Sequence, residues 1–439
     1  MSSTTELGGS SSAARGVALD PAISDALRRA AAVHSTPIYV TDLATLDAAA
    51  AAIRNAFPYP WVRQYSVKAN DVPAVVAEVT SRGFGANVVS RGEWAVARRA
   101  GVPNGRITLE GIGKTDADLR AAIRATAPGS APLAWVALES ADEAEVVSRM
   151  ARRAGLGRGK RPALDVLVRL NPDVVPETIP GFAVGEGTSK FGLTETEATA
   201  LVEWLTTHAK GSVRPRGVHL HVGSQLRAVD AWRDAVRRAL AIVGLLRGGL
   251  DRFDTLDIGG GFPVLPLDEP VPGPERFARE LPELLEGIPE DRRPTRLAIE
   301  PGRALVARSG WLVASVLHVR ERGGRQVVID AGMTELIRPA LYGARHPIIA
   351  LTSLGRAIAA GGSDAPAIEP TGVEGPICES TDALGVHDLP ALRRGDLVAI
   401  SDAGAYAASL ASTYNGRPRA AQVFIEMDGR LRLARRAGS

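Results

Sequence analysis

Between Val62 and Glu300 the chain repeats one pattern eight times: a short apolar run, a polar break, then residues with helical periodicity. The runs are Val62–Val67, Phe84–Val89, Arg106–Leu109, Ala134–Leu138, Ala163–Leu170, Arg216–His221, Thr255–Ile258 and Arg296–Ile299. Helical periodicity is clearest over Asp116–Ala125, Ala141–Ala154, Ala231–Leu246 and Glu275–Leu285. Strands joined through helices return to the same end of a sheet, so they pair in parallel. Eight such units point to an α/β fold of the (β/α)8, TIM-like barrel type. A doubly wound open sheet is the competing arrangement.

After Arg303 the period changes to short β-rich runs, among them Trp311–Val319, Gln326–Ile329, Leu397–Ile400 and Ala421–Ile425. Breaks such as Gly323-Gly324 and Gly361-Gly362-Ser363-Asp364 separate them, which predicts a C-terminal β domain. The expected division is 1–35 as a disordered or poorly ordered tail and lead-in, 36–304 as the barrel and 305–439 as the β domain. The early strand-like stretch Pro37–Val40 is expected to join that last domain. Ser2–Arg15 is rich in small polar residues and lacks the charged and apolar regions of a secretory signal, so it reads as a disordered tail. Leu267–Pro274 reads as a surface loop.

Composition narrows the partners. A net charge of +3 is spread along the 439 residues, with no basic block that would mark a nucleic-acid or membrane patch. Arg158-Gly159-Lys160-Arg161 reads as a surface loop. No apolar run approaches the ~18 residues of a membrane span. The single cysteine, Cys378, excludes an internal disulfide and fits a reducing, cytoplasmic setting.

The chemistry collects at the strand ends, which in a barrel open on one face. Lys68 ends the first run, in Tyr65-Ser66-Val67-Lys68-Ala69-Asn70. Only five of the 52 Lys and Arg residues are lysines. Arginine does not readily lose its proton and makes no imine, so a retained lysine suits covalent work on an aldehyde. Asn87, Glu139, Arg169, Asn171 and His221 mark further ends. Gly259-Gly260-Gly261 follows the seventh run, where bare backbone can approach an anion; a tight turn is the plainer reading. Glu300-Pro301-Gly302-Arg303 follows the eighth. Arg303 can clasp a phosphate, and Glu300 can face a pyridine nitrogen and keep it protonated, or simply pair with Arg303. His219 and His221, two apart, also allow a metal, but no further His or Cys stands at ligand spacing, so no metal is expected. Gly111-Ile112-Gly113-Lys114-Thr115 lacks the first glycine of a phosphate loop, and Gly185-Glu186-Gly187 lacks the third glycine of a dinucleotide loop.

Together these stretches resemble the fold-type III pyridoxal-phosphate decarboxylases, and within them the diaminopimelate decarboxylases. The likeness also takes in Val88-Val89-Ser90 with Gly92-Glu93, Lys190-Phe191-Gly192, His221–Gln225, Gly259–Pro263, Asp330–Met333, Arg338–Tyr342, Gly375–Ser380, Gly404-Ala405-Tyr406 and Asn415–Arg419. It runs from about Thr36 to about Val423. The resemblance implies pyridoxal 5'-phosphate as cofactor, with Lys68 carrying it and His221 stacking on its ring. Ser224, Gly260, Gly261 and Arg303 would surround the phosphate with Tyr406 nearby, and Glu300 would meet the ring nitrogen. It further implies an amino-acid substrate, meso-2,6-diaminopimelate, converted to L-lysine and CO2. Arg303, Arg338 and Tyr342 would hold the distal carboxylate, with Tyr406 close by, and Glu379 the distal amine. Cys378 would stand near the reacting carbon as proton donor. Cys378 and Glu379 would come from the partner of a homodimer with shared active sites.

Some alternatives stay open. Cys378 can be a plain buried thiol, and Arg338 and Tyr342, four apart, can pair on one helical turn. Asn87 stands where the family commonly has Asp and Arg91 where it has Gly. Glu110–Lys114 matches only loosely, and Val174–Ser189 is the least familiar stretch. A related amino acid, or a conjugated or carrier-bound one from a secondary-metabolite or polyamine pathway, is the alternative substrate. A non-catalytic regulatory paralogue is disfavoured by Lys68, His221, Glu300 and Cys378, and a racemase by Glu300.

Overall fold

A computed structural model describes residues 19–178, 183–187, 189–264, 270–358 and 367–438. The predicted Ser2–Arg15 tail and the Gly361–Asp364 break lie outside these residues, as do parts of the Val174–Ser189 and Leu267–Pro274 stretches.

The chain opens with helix α1 (Pro21–His34) and strand β1 (Ile38–Asp42), then helix α2 (Leu43–Ala56). Eight strands follow and close into a parallel barrel: β2 (Val62–Ser66), β3 (Gly85–Val88), β4 (Ile107–Leu109), β5 (Trp135–Leu138), β6 (Leu164–Leu170), β7 (Val213–Leu220), β8 (Thr255–Asp257) and β9 (Arg296–Ile299). β2 pairs β9 to complete the ring, so the open-sheet alternative is excluded. The helices between them are α3 (Pro73–Ser81), α4 (Arg91–Arg99), α5 (Asp116–Ala125), α6 (Ala141–Arg153), α7 (Glu195–His208) and α8 (Asp230–Arg247).

Local sequence explains the helices. α5 and α7 begin with reciprocal capping boxes, Thr115 with Asp118 and Thr194 with Glu197. α6 buries Ala144, Val147, Ser148 and Ala151, the i, i+3, i+4, i+7 stripe of a helix lying on a sheet. The predicted helix over Glu275–Leu285 is instead two, α9 (Pro274–Ala278) and α10 (Leu281–Glu286). Pro282 is the reason, because its ring clashes with the carbonyl four residues back and it has no N–H to bond it.

After α11 (Arg303–Val306) the chain builds β10 (Gly310–Glu321), β11 (Arg325–Ile329), α12 (Arg338–Tyr342), β12 (Ile348–Ala350), β13 (Thr352–Ser353), β14 (Arg356–Ala357), β15 (Ile368–Glu374), β16 (Ala383–Pro390), β17 (Leu397–Ile400), β18 (Ala421–Ile425) and β19 (Leu431–Arg435). The β-barrel-like expectation takes the form of a nine-stranded mixed sheet, with β13 and β14 paired apart. β1 sits inside it, antiparallel to β10 and parallel to β18, with Val40 opposite both Trp311 and Val423. The twelve-residue β10 serves two neighbourhoods: its first half pairs β1 and β17 and its second half pairs β11, with a register shift between Val316 and His318.

The lead-in expectation for residues 1–35 needs correction, because Pro21–His34 is a helix. Asp20 caps its first turn through Oδ1, Pro21 stands at its start, and Ala26, Leu27, Ala30 and Ala31 pack on the sheet beside Ile38, Val40 and Val313. The signal was in the sequence as a cap, a proline and an apolar stripe.

Candidate active site

Every strand end named from the sequence does open on one mouth of the barrel, and register explains why. Arg169 on β6 pairs His219 on β7, which pairs Asp257 on β8. Residues paired in parallel point to the same side, and all three are buried. Likewise Ser66 pairs Asn87.

Lys68 lies not in the strand but in a 3-10 turn, Val67–Ala69, and its side chain is exposed while both chain neighbours are buried. The second domain grips this turn from outside. Ser409 Oγ donates to Lys68 O at 2.9 Å, the Tyr406 N–H donates to Ala69 O at 2.7 Å, and Asn70 Nδ2 donates to Gly404 O at 3.0 Å. Tyr406 adopts a φ of 57°, a left-handed conformation that a tyrosine holds only when its surroundings impose it. Its ring lies 4.6 Å from the Arg303 guanidinium carbon.

The loop after β8 packs on the loop after β7. Gly260 N–H donates to His221 Nδ1 at 3.3 Å. A neutral His221 therefore carries its proton on Nε2. Burial, then the charges of Lys68, Arg169 and His219, holds the His221 pKa well below the usual histidine value, so the ring is neutral. A Cβ on Gly260 would stand 2.4 Å from Glu300 O, so only glycine lets this loop close on the one after β9. Arg303, buried, reaches Ser224 Oγ with Nη2 at 3.2 Å and Nε at 3.4 Å.

Glu300 is 7 % exposed, and Asn87 Nδ2 donates to its Oε1 in a short hydrogen bond. Behind it stand two groups the strand-end survey passed over. Glu110, the residue after β4, is buried and accepts from Trp135 Nε1 at 3.2 Å. His219 Nε2 is 3.2 Å from Glu110 Oε2 and 3.6 Å from Glu300 Oε2. Burial, then the Glu300 charge, raises the Glu110 pKa to about 8, while burial lowers that of His219 to about 4. Asp257 is likewise pushed well up by burial and by Glu300. The strand-end rule that points to Lys68 also points to Glu110, which directly follows β4. Glu110, His219 and Glu300 place ligand-type atoms within 4.8 Å of one another, so the three also have the form of a cation cluster.

Farther out, Arg338 and Tyr342 share α12, with Arg338 buried and Tyr342 at the surface. Both sit near Arg303: the guanidiniums of Arg338 and Arg303 repel each other, and the Tyr342 phenol interacts with both. Glu139 and Arg169 form a buried ion pair, and Gly192 N–H donates to Glu139 Oε2 at 3.1 Å. Cys378 is exposed, not a buried thiol. Its neighbours are Asn415, whose Nδ2 is 3.6 Å from Sγ, and the Glu379–Tyr414 pair, in which Tyr414 Oη donates to Oε1 at 2.6 Å.

The residues present fit pyridoxal 5'-phosphate: an exposed lysine at the mouth, a glycine-lined loop beside a guanidinium and a hydroxyl, a neutral imidazole and a buried carboxylate. The family profile "Pyridoxal-dependent decarboxylase, pyridoxal binding domain" matches residues 43–307. The chain belongs to the pyridoxal-dependent decarboxylases. A diaminopimelate decarboxylase of Aquifex aeolicus is 33% identical over 414 residues, 93% of this chain and 91% of that protein. The crystal structure of the Helicobacter pylori diaminopimelate decarboxylase complexed with L-lysine superposes with a TM-score of 0.83 at 29% identity, covering 94% of this chain and 96% of that one. The crystal structure of diaminopimelate decarboxylase from m. jannaschii in co-complex with L-lysine gives 0.82 at 28% identity, covering 94% of this chain and 92% of that one. No helix among the described residues of this decarboxylase is long and apolar enough to cross a membrane.

Proposed function

We propose that this decarboxylase converts meso-2,6-diaminopimelate to L-lysine and CO2. The observation that carries the proposal is the convergence of Lys68, His221, Glu300 and Arg303 on one mouth, with a second buried arginine, Arg338, near Arg303. A substrate whose second carboxylate stays on the product needs an anion site for it beside the phosphate site, and Arg338 next to Arg303 supplies one.

Pyridoxal 5'-phosphate, when bound, accepts the electron pair left by the departing CO2. The chain's own residues do the rest. Lys68 holds the cofactor covalently and releases it to the substrate amine. Ser224, Gly260, Gly261 and Arg303 receive the phosphate, with Tyr406 beside them. The neutral His221 ring covers one face, and Glu300 holds the ring-nitrogen proton. Arg303, Arg338 and Tyr342 bind the carboxylate that stays on the product, and Tyr406 closes that side of the pocket. Glu379 takes the distal amine. The C–CO2 bond breaks, and a proton delivered from the Cys378 thiol forms the new C–H bond.

Within one chain the recorded neighbours of Cys378 and Glu379 are Asn415 and Tyr414, not barrel residues. This supports a homodimer in which the partner completes each site. We also place the boundary between the two units near residue 304, with β1 belonging to the second, and the protein in the cytoplasm, where its exposed free thiol stays reduced.

The test is CO2 release by the purified protein with pyridoxal phosphate and meso-diaminopimelate, beside lysine, ornithine and arginine. Lysine formed from diaminopimelate alone supports the proposal. Release from another of the four, or from none while the cofactor absorbance is intact, rejects this substrate.

A further inference from the structure

Arg338 has an unusual partner. Its Nη1 lies 2.8 Å from Nε2 of His346, and Nδ1 of His346 lies 2.9 Å from the carbonyl oxygen of Ser401. A carbonyl oxygen only accepts, so Nδ1 carries a proton. A guanidinium only donates, so Nε2 presents its lone pair. The hydrogen bonds therefore run one way, from Arg338 through His346 to Ser401, and they require the neutral Nδ1–H tautomer. Burial, then the neighbouring Arg338 charge, lowers the His346 pKa to about 4 and keeps the ring neutral.

The second half of the argument is charge. Arg338 is 6 % exposed and His346 is 2 % exposed. The carboxylate whose charge acts on Arg338 is that of Asp402, which makes no direct ion pair with it among the described residues, and the buried Arg338 Nε–H has no hydrogen-bond partner. A buried cation normally has an anion beside it. Here it has a neutral acceptor that fixes the guanidinium plane without cancelling its charge, and one donor is left over.

We infer that His346 is a positioning residue for substrate choice: it orients Arg338 so that a guanidinium with no directly paired anion faces the carboxylate that remains on the product. This rests on the role proposed for Arg338. Lysine keeps that carboxylate, whereas pentane-1,5-diamine has the same chain and amines without it. His346 therefore acts on the preference for the first over the second, not on cofactor binding.

The experiment titrates L-lysine and pentane-1,5-diamine into cofactor-loaded protein, following cofactor absorbance. In the unaltered protein lysine binds more tightly. His346→Leu should weaken lysine by about tenfold, the scale of a lost charge-assisted contact, and leave the diamine unchanged. His346→Gln, whose amide can accept from Arg338 and donate to Ser401, should keep most of the preference. His346→Asp should lose it by neutralising Arg338, and gives a second route should the leucine variant not fold. A leucine or aspartate variant that retains the full preference overturns the inference. Arg338→Ala separates the two levels. If it too retains the preference, the Arg338 assignment fails and the inference with it; if it alone loses the preference, only the His346 role is rejected.

Discussion

Nε2 of His219 stands between two carboxyl groups, 3.2 Å from Glu110 and 3.6 Å from Glu300, in a pocket that excludes water. Two buried carboxylates this close cannot both carry charge at low cost. Burial and the neighbouring Glu300 charge push the Glu110 pKa up to about 8, so the proton belongs on Glu110. Glu110 is then the neutral acid behind Glu300, the residue proposed to face the cofactor nitrogen.

This assignment fixes the sign of a pH effect. The Glu110 pKa is about 8 in the folded protein against about 4.5 for an ordinary glutamate. Between those values the folded state binds the extra proton, so the stabilisation is full below about 4.5 and is lost as pH rises through 8. Glu110→Gln keeps the shape and removes the titration. The variant should therefore gain stability relative to the parent as pH is raised from about 5 to 9, measured by thermal melts across that range. Parallel curves would show that the proton is not on Glu110. On this assignment a proton, not a cation, joins the three groups, so dialysis against a chelator should leave activity unchanged; a loss restored by added divalent cation would overturn it.

The barrel and much of the site were legible because both follow from short-range rules. Period-two runs and helical stripes place the strands, and a residue directly after a parallel strand points to the mouth. His221 and Glu300 obey that rule, as does Glu110, in a stretch that matches the family only loosely; Lys68 and Arg303 follow within four residues of their strand ends. What the sequence hid depends on long-range pairing. His346 matters only because Ser401, 55 residues later, supplies a carbonyl. The grip of Gly404, Tyr406 and Ser409 on the Lys68 turn joins segments more than 300 residues apart, and no local pattern marks it.

Lys68→Ala should lose turnover altogether and should also lose the absorbance of covalently held cofactor, since alanine offers no amine. Lys68→Arg should behave the same way despite keeping a positive charge. Turnover in either variant would remove Lys68 from its assigned role.

Glu300→Gln keeps a hydrogen-bonding group toward Asn87 but removes the anion. The rate should fall roughly 10²- to 10³-fold, the scale of losing one electrostatic stabiliser in a buried site, while the cofactor stays bound. Rate and cofactor absorbance measured on the same sample decide it. Near-normal rate would show that the ring-nitrogen proton is held elsewhere.

Arg338→Ala removes a buried charge proposed to meet the distal carboxylate. The expected loss is about 2–5 kcal/mol in kcat/KM for diaminopimelate, carried mainly by KM. Cofactor affinity should not move, because the proposed phosphate ligands are Ser224, Gly260, Gly261 and Arg303. An equal loss in cofactor affinity would place Arg338 at the phosphate instead.

Gly404 links stability to the position of Lys68. Its carbonyl accepts from Asn70 Nδ2 at 3.0 Å, holding the end of the Lys68 turn. A Cβ at this position would come within 1.7 Å of Val306 O, which belongs to the backbone and cannot swing aside. Gly404→Ala must therefore push the 404–409 segment off the barrel, at a cost of about 1–3 kcal/mol or more. Ser409→Ala deletes one exposed hydrogen bond to the same turn without adding bulk, and should cost under about 1 kcal/mol. Melting temperatures of the two variants give the comparison: a drop of several degrees for the first and a small one for the second. If both melt alike, the close approach at Gly404 does not hold the two units together, and the Lys68 turn keeps its shape without help from the second domain.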